Sequence, residues 1–314
     1  MLILAAILGV LVYGVVAATW GTLSPTLGFN DAQNGTIAFA QAIGLAIASV
    51  SVGPLIDHKG KKAAMVAGLA LICASLAFLP SAGQDYTAVI GSLAVLGLGG
   101  GVLVTAANAL ASDVNPSRRA SMLNGLNLFF GLGGLLTPLI TANVLGGNAV
   151  GMCYLAAALG AVTLIINIAT PMPWPTSERG FKGSEIGVII GRPALYLLAL
   201  MLFLYVACEV GVWNWLATYL VQVRGLDKSA ALNILSLGFA LGLLIGRLVV
   251  SRILISVSPQ TVTLGASVGM AVTTLLMLQA RTPAGAWTRY SAPVSRWRRR
   301  FRRRSRSWAM YFQG

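Results

Sequence analysis

Nine apolar runs succeed one another along the chain, at about residues 2–24, 33–56, 63–80, 86–112, 119–144, 150–170, 193–221, 229–251 and 259–280. A helix crosses the hydrocarbon core of a bilayer with about 20 apolar residues, and each run is long enough to do so. Helical spans satisfy their own backbone polar groups inside lipid. A transmembrane barrel would instead show alternating segments of about ten residues, and the sequence has none. Hydrophobic residues make up 57% of the chain and charged residues only 10%, against about 25% charged in an ordinary soluble domain. A water-soluble enzyme and a disordered chain are both excluded. The expected fold is an all-α polytopic membrane protein. The first run lacks a basic n-region and is longer than the apolar part of a secretion signal, so it reads as the first transmembrane helix.

Lysine and arginine in the connections set the orientation. With the N-terminus in the cytoplasm, the inner connections hold Lys59, Lys61, Lys62, Arg118, Arg119, Arg179, Lys182, Arg192, Arg247 and Arg252, and the outer ones only Arg224 and Lys228. This bias predicts a multi-pass protein with its N-terminus in the cytoplasm; the expected surroundings are the lipid bilayer of a bacterial cytoplasmic (inner) membrane. The formal charge of +14 is unevenly placed: ten arginines and no acid lie between Arg281 and Gly314. Nine spans starting inside would leave those arginines on the disfavoured side. The abrupt end of the apolar pattern after Gln279 and the arginine-only usage mark 281–314 as a non-native or frameshifted tail, with Tyr311-Phe312-Gln313-Gly314 resembling a cleavage-tag remnant. A nucleic-acid or anionic-lipid role for the tail is the weaker reading, and no nucleic-acid partner is expected.

The longest polar connection, Thr170–Arg192, carries Pro171, Pro173 and Pro175 together with Glu178, Arg179, Lys182 and Glu185. It divides the chain into 1–170 (six helices), a cytoplasmic linker at 171–192, and 193–280 (three helices), ahead of the tail at 281–314. Gly53-Pro54-Leu55-Ile56 in the second run is echoed by Gly242-Leu243-Leu244-Ile245 in the eighth. Six helices, a linker and a restart are the pattern of a repeat-built transporter.

The connection after the second run reads Gly53-Pro54-Leu55-Ile56-Asp57-His58-Lys59-Gly60-Lys61-Lys62. Gly53 would let two helices approach, Gly60 would permit a tight turn, and Asp57 would sit where a helix end and neighbouring cations can pair with it. This segment resembles the loop between helices two and three of the major facilitator superfamily, G-x-L-x-D-x-x-G-[RK]-[RK]. The resemblance implies two six-helix bundles and alternating access. It also implies that Asp57, Gly60, Lys61 and Lys62 help close the cytoplasmic side, with the acid reaching an eleventh helix for which the apolar runs leave no candidate. The chain is therefore expected to be truncated after helix nine, with a complete N-terminal bundle and an incomplete, three-helix C-terminal bundle.

A narrower resemblance rests on Gly97-Leu98-Gly99-Gly100-Gly101-Val102-Leu103-Val104-Thr105-Ala106-Ala107-Asn108, on Asp113-Val114-Asn115-Pro116 with Arg119 and Ala120, and on Asn124, Asn127, Phe129-Phe130-Gly131-Leu132-Gly133 and Pro138. Tyr205-Val206-Ala207-Cys208-Glu209-Val210-Gly211-Val212-Trp213 and Tyr219 complete it. These segments look like the fucose permease branch, which moves sugars with protons. One departure stands out. That branch has a buried glutamate before its Thr-Ala-Ala-Asn, where this chain has Val104, and a carboxylate in helix one, where Leu2–Ser24 contains no acid. Proton symport by that route does not carry over.

Glu209 is then the only acid deep inside a run. A carboxylate at mid-bilayer costs about 2.5–3.5 kcal/mol on insertion scales and normally faces a partner or a wet cavity. Tyr205, Glu209 and Trp213 follow at helical spacing on one face with Asn214 beside them, so the stripe offers aromatic surface and hydrogen bonds to a sugar. A purely structural hydrogen bond from Glu209 is the competing account. Gln41, Asn108, Asn124, Asn127 and Asn233 could line the same path or tie helices together. Trp20 and Tyr13 are weaker candidates. Gly97 and Gly101, and Gly238, Gly242 and Gly246 ahead of Arg247, recur every four residues and would let helices pack closely or rock.

Cys73, Cys153 and Cys208 lie singly in apolar runs without metal-ligand spacing, and His58 is the only histidine, so neither metal sites nor His-based catalysis is expected. No cofactor is expected beyond a coupled proton or another cation. The chain reads as a secondary transporter of a small polar, sugar-like solute, not an enzyme. Drug or metabolite efflux on the same scaffold, and an inactive membrane fragment, are the alternatives.

Overall fold

The computed structural model describes residues 1–114, 119–172, Gly191, 193–253 and a few positions between 261 and 272. The rest of the linker, most of the ninth run at 259–280, and the tail at 281–314 lie outside the described residues, as do Arg118, Arg179, Lys182 and Arg192. The elements are α1 (Leu2–Leu27), α2 (Asp31–Ala82), α3 (Tyr86–Val114), α4 (Arg119–Asn143), α5 (Ala149–Ala169), α6 (Pro193–Arg224), α7 (Lys228–Asn233), a π-helical segment (Ile234–Ala240) and α8 (Leu241–Ile253). No strand occurs among the described residues. α7, the π segment and the start of α8 form one span, Lys228–Val250.

Helix ends follow local chemistry. α1 stops at Gly28, which takes the left-handed conformation at φ 71. α2 opens with a reciprocal cap in which Asn30 and Gln33 exchange side-chain and backbone hydrogen bonds. Asn148 and Asp227 accept backbone N–H groups at the starts of α5 and α7.

The loop expected at 57–62 is shorter than the apolar pattern implies. Helix runs up to it from both sides and breaks at Gly60 alone, with φ 83 and ψ 163. A side chain rarely adopts that conformation, so glycine is required there. Packing shows the reversal of direction. A Cβ on Gly97 would stand 2.0 Å from the Gln41 carbonyl oxygen and one on Gly101 2.5 Å from that of Leu45, so the leg before Gly60 runs parallel to α3. Gly68 lies against Leu103 and Ile72 against Gly99, so the leg after it runs antiparallel. With α2 split there, six spans precede residue 170.

These spans share one core, in which Ile37, Met65, Leu69, Ile72, Leu76, Leu93, Leu96 and Leu103 are inaccessible to solvent. Several polar side chains inside it are bonded: the Ser75 and Ser92 hydroxyls lie 3.1 Å apart, and Thr19 and Thr22 turn back onto the carbonyls of Val15 and Ala18 at 2.8 Å. A second, smaller core joins the halves. Ala18 of α1 and Leu135 and Ala142 of α4 meet Trp213, Leu216 and Leu220 of α6 and Leu232, Leu235 and Phe239 of the following span.

Candidate functional site

The second core seals one end of the molecule, the end that holds Gly28. There the Ser24 and Thr218 hydroxyls lie 2.8 Å apart. Asn143 Nδ2 donates to Asn233 Oδ1 at 2.6 Å and Asn233 Nδ2 returns a bond to Asn143 Oδ1 at 3.2 Å. The Lys228 ammonium donates to the Gly147 carbonyl, and Ser236 Oγ donates to that of Leu135 at 2.7 Å. Toward the Met1 end the halves part, and α6 exposes Leu197, Leu198, Leu200 and Phe203.

Between these ends lies a cavity of about 1550 Å³. Its wall takes Tyr13 from α1, Gln41 from α2, Asn108 from α3, Asn124, Asn127 and Phe130 from α4, Phe203, Tyr205, Glu209, Trp213 and Asn214 from α6, and Gly246 and Arg247 from α8. The seven residues singled out for substrate contact (Glu209, Trp213, Tyr205, Asn214, Asn108, Asn127 and Gln41) all reach it. Asn233 does not, because it is spent on Asn143, and Trp20 is buried in the first core.

The charged centre of the cavity is a pair. Arg247 Nη2 donates to Glu209 Oε1 at 3.2 Å and Nη1 to the Asn127 carbonyl at 3.1 Å. The guanidinium lies 5.5 Å from the centroid of Phe130, and the Phe130 ring lies 5.3 Å from that of Tyr13. One network therefore connects α1, α4, α6 and α8. The Glu209 side chain is 10% exposed and that of Arg247 25%. Low polarity makes an unpaired carboxylate costly, and the guanidinium supplies the countercharge.

Arg247 is the residue that the sequence pattern misplaced. It was counted among the inner-loop cations, next to the glycines Gly242 and Gly246, whereas it faces the cavity. The signal was present: a lone acid in one apolar run and a lone cation inside another have only each other to pair with.

Other expected roles change as well. Trp213 does not offer a free ring face. Its ring meets that of Phe239 edge to face with centroids 5.1 Å apart, and Gly134 leaves room for it, since a Cβ there would come within 2.8 Å of the ring. The indole Nε1 is buried without a hydrogen-bond partner among the described residues. Gln41 Nε2 donates to the Val16 carbonyl at 3.2 Å, tying α2 to α1 at the cavity edge. Among the described residues no close approach forms at Gly53 or Gly246, since a Cβ at either would meet nothing within 4 Å. Gly242 continues the same face of α8, partly buried. Asp57 is exposed and forms no ion pair among the described residues; Lys61 pairs instead with Asp113 of α3, and Lys62 Nζ donates to the Ile168 carbonyl at the end of α5 at 2.6 Å. The described part of this region thus ties elements of the first half to each other. Among the described residues no three His, Cys, Asp or Glu side chains gather as metal ligands.

The sequence model of the Major Facilitator Superfamily matches residues 2–295. The glucose/galactose transporter of Brucella abortus is 28% identical over 220 residues, covering 64% of this chain and 53% of its own length. The gentisate transporter of Corynebacterium glutamicum is 25% identical over 263 residues, covering 76% and 56%. The chain spans about half the length of such curated relatives. The crystal structure of a D-xylose–proton symporter superposes with a TM-score of 0.71 at 15% identity, covering 92% of this chain and 78% of that one. At that identity the likeness speaks for the fold.

Proposed function

The chain belongs to the Major Facilitator Superfamily, and from that premise we propose that it is a secondary active transporter carrying a small hydroxylated solute, a sugar or a molecule like one, by alternating access. The observation that supports this most is the convergence of amide, charged and aromatic side chains from both halves on one cavity (Gln41, Asn108, Asn127, Tyr205, Glu209, Asn214 and Arg247). Amides read hydroxyl groups in either sense, because each offers donors and an acceptor. Relatives named for glucose/galactose and for gentisate support a small hydroxylated cargo. In this reading the Met1 end faces the cytoplasm of a bacterial inner membrane, the structure is sealed on the opposite side, and Glu209 carries a coupling proton. No resident cofactor takes part.

Counterflow of labelled glucose in proteoliposomes, wild type beside Glu209→Gln, tests the reading. Saturable counterflow in the wild type and loss of pH-dependent uptake in the variant are expected. Unchanged pH-dependent uptake in Glu209→Gln removes that residue from coupling. Drug efflux on the same scaffold is the second reading, favoured by the aromatic wall residues, and drug susceptibility of an overexpressing strain separates the two. An inactive fragment is the outcome if no solute binds saturably.

A further inference from the structure

Among the described residues the cavity wall carries one cation and one anion, and they are not equivalent. Arg247 is the more accessible of the two. Its plane is fixed from below by Phe130 and from the side by the Asn127 carbonyl. Toward Glu209 it makes a single contact, at 3.2 Å, longer than the 2.7–2.9 Å typical of a charge-assisted N–H···O bond, and not a two-pronged one. A guanidinium held rigid, reachable and only half engaged matches a planar carboxylate better than it matches a hydroxyl group. Tyr13, Phe203 and Tyr205 line the same cavity and supply aromatic surface for an apolar part of a ligand.

Charge balance then sets the partner ion. With Glu209 ionised and Arg247 protonated the wall is neutral. A bound carboxylate on Arg247 leaves one uncompensated negative charge in a site of low polarity. Breaking such a pair by displacing one partner is strongly unfavourable, and protonation of the displaced acid relieves it. The titratable groups on the wall, among the described residues, are Tyr13 from α1, Tyr205 and Glu209 from α6 and Arg247 from α8; α2, α3 and α4 present only Gln41, Asn108, Asn124 and Asn127 as polar groups. Glu209 is the anion among them and the group that loses its countercharge.

We propose that the solute is a hydroxylated carboxylate which takes the place of Glu209 on Arg247, while Glu209 takes up one proton from water, so that one anion and one proton move together without net charge. This rests on the central-cavity reading above and names the cargo class and stoichiometry for it. The only covalent change is formation of the O–H bond on the Glu209 carboxyl, and it is reversed when the cargo leaves.

Matched pairs isolate the carboxylate: glucose against glucuronate, and catechol against 3,4-dihydroxybenzoate, titrated into the purified full chain by calorimetry in buffers of different ionisation enthalpy. At least one acid is expected to bind about tenfold more tightly than its neutral twin, as one charge-assisted hydrogen bond requires, with one proton taken up per molecule. Glu209→Gln is expected to keep binding that acid, about tenfold more tightly because the competitor is gone, with no proton uptake. Arg247→Ala is expected to abolish the preference for the acid over its neutral twin. Uptake of the acid into proteoliposomes should follow a pH gradient and ignore a valinomycin-imposed potential. Saturable binding of glucose or catechol with no gain from the carboxylate, or acid binding without proton uptake, overturns this inference and leaves the transporter reading standing. Absence of saturable binding by all four probes overturns both.

Discussion

At the sealed end α1 and α6 meet backbone to backbone at Gly21. A Cβ on Gly21 would stand 1.8 Å from the Trp213 carbonyl oxygen and 2.9 Å from its carbon. An ordinary C···O contact is about 3.3 Å, so Gly21→Ala must part the two backbones by about 1.5 Å. Three residues further along α1, the Ser24–Thr218 hydrogen bond at 2.8 Å is carried past its useful length by the same displacement. Overpacking costs about 1–3 kcal/mol, and the lost bond adds about 1. Both fall on the sealed arrangement, so its population relative to one parted at this end drops by about 30- to 1000-fold. Thr22→Cys is a suitable reporter, because Thr22 is 1% exposed and its hydroxyl bonds only the Ala18 carbonyl of its own helix. Labelling of that cysteine by a membrane-impermeant maleimide from the Gly28 side is expected to quicken at least about tenfold in Gly21→Ala, after subtraction of labelling at Cys73, Cys153 and Cys208. Gly14→Ala is the control: its Cβ would stand 2.1 Å from the Phe130 carbonyl oxygen, a clash between α1 and α4 of the same half. It should lower the melting temperature without raising Thr22→Cys labelling. Equal labelling in Gly21→Ala and parent, with both folded, would refute the reasoning, as would an equal rise in Gly14→Ala.

Two further expectations concern stability in detergent. Asn143→Ala and Asn233→Ala should each cost about 1 kcal/mol and, combined, should not add, because either one already removes the reciprocal amide pair; strict additivity in the unfolding midpoint would mean that the pair does not form. Gly60→Ala should cost about 1–2 kcal/mol, since a side chain is forced to φ 83. Gly53→Ala, seven residues earlier in helical conformation with open space around it, should leave the melting temperature unchanged or raise it slightly.

The spans were legible because lipid permits so little else. Apolar length alone located α1, α3, α4, α5 and α6 within a few residues, and the polar stretch around Gly60 marked the reversal inside α2. What the pattern overestimated was the loop itself: Asp57 and His58 read as polar connection but continue the helix, because a charged side chain at a membrane edge is no obstacle to winding. The site was legible as a set of rare residues. Glu209 stood out by cost, and Tyr205, Trp213, Asn108, Asn127 and Gln41 by being polar or aromatic in apolar company. Their geometry was not legible. Nothing in the spacing of Gly238, Gly242 and Gly246 says that the tight contact forms instead at Gly21 and Gly134, since small residues permit a close approach and only the partner helix determines which of them is used. Nor does the spacing of Tyr205, Glu209 and Trp213 say that the indole is enclosed by Gly134 and Phe239.

The Glu209–Arg247 pair bears on why the cavity is built with charges at all. A buried ion pair is poor cement: replacing one by apolar residues of similar volume is often neutral or stabilising by about 1–4 kcal/mol. The seal at the other end illustrates how the same chain holds helices together when holding is all that is required, with a hydroxyl pair at Ser24–Thr218, an amide pair at Asn143–Asn233 and main-chain contact at Gly21. Arg247 is attached differently. It belongs to α8, yet its two hydrogen bonds go to Asn127 of α4 in the first half and to Glu209 of α6 in the second. A ligand that competes for the guanidinium therefore alters a bond within the second half and stands beside a bond between the halves at once. Neutral side chains in those positions would give a firmer bundle without that response to what sits between its halves, and the alternating access proposed above draws on that difference.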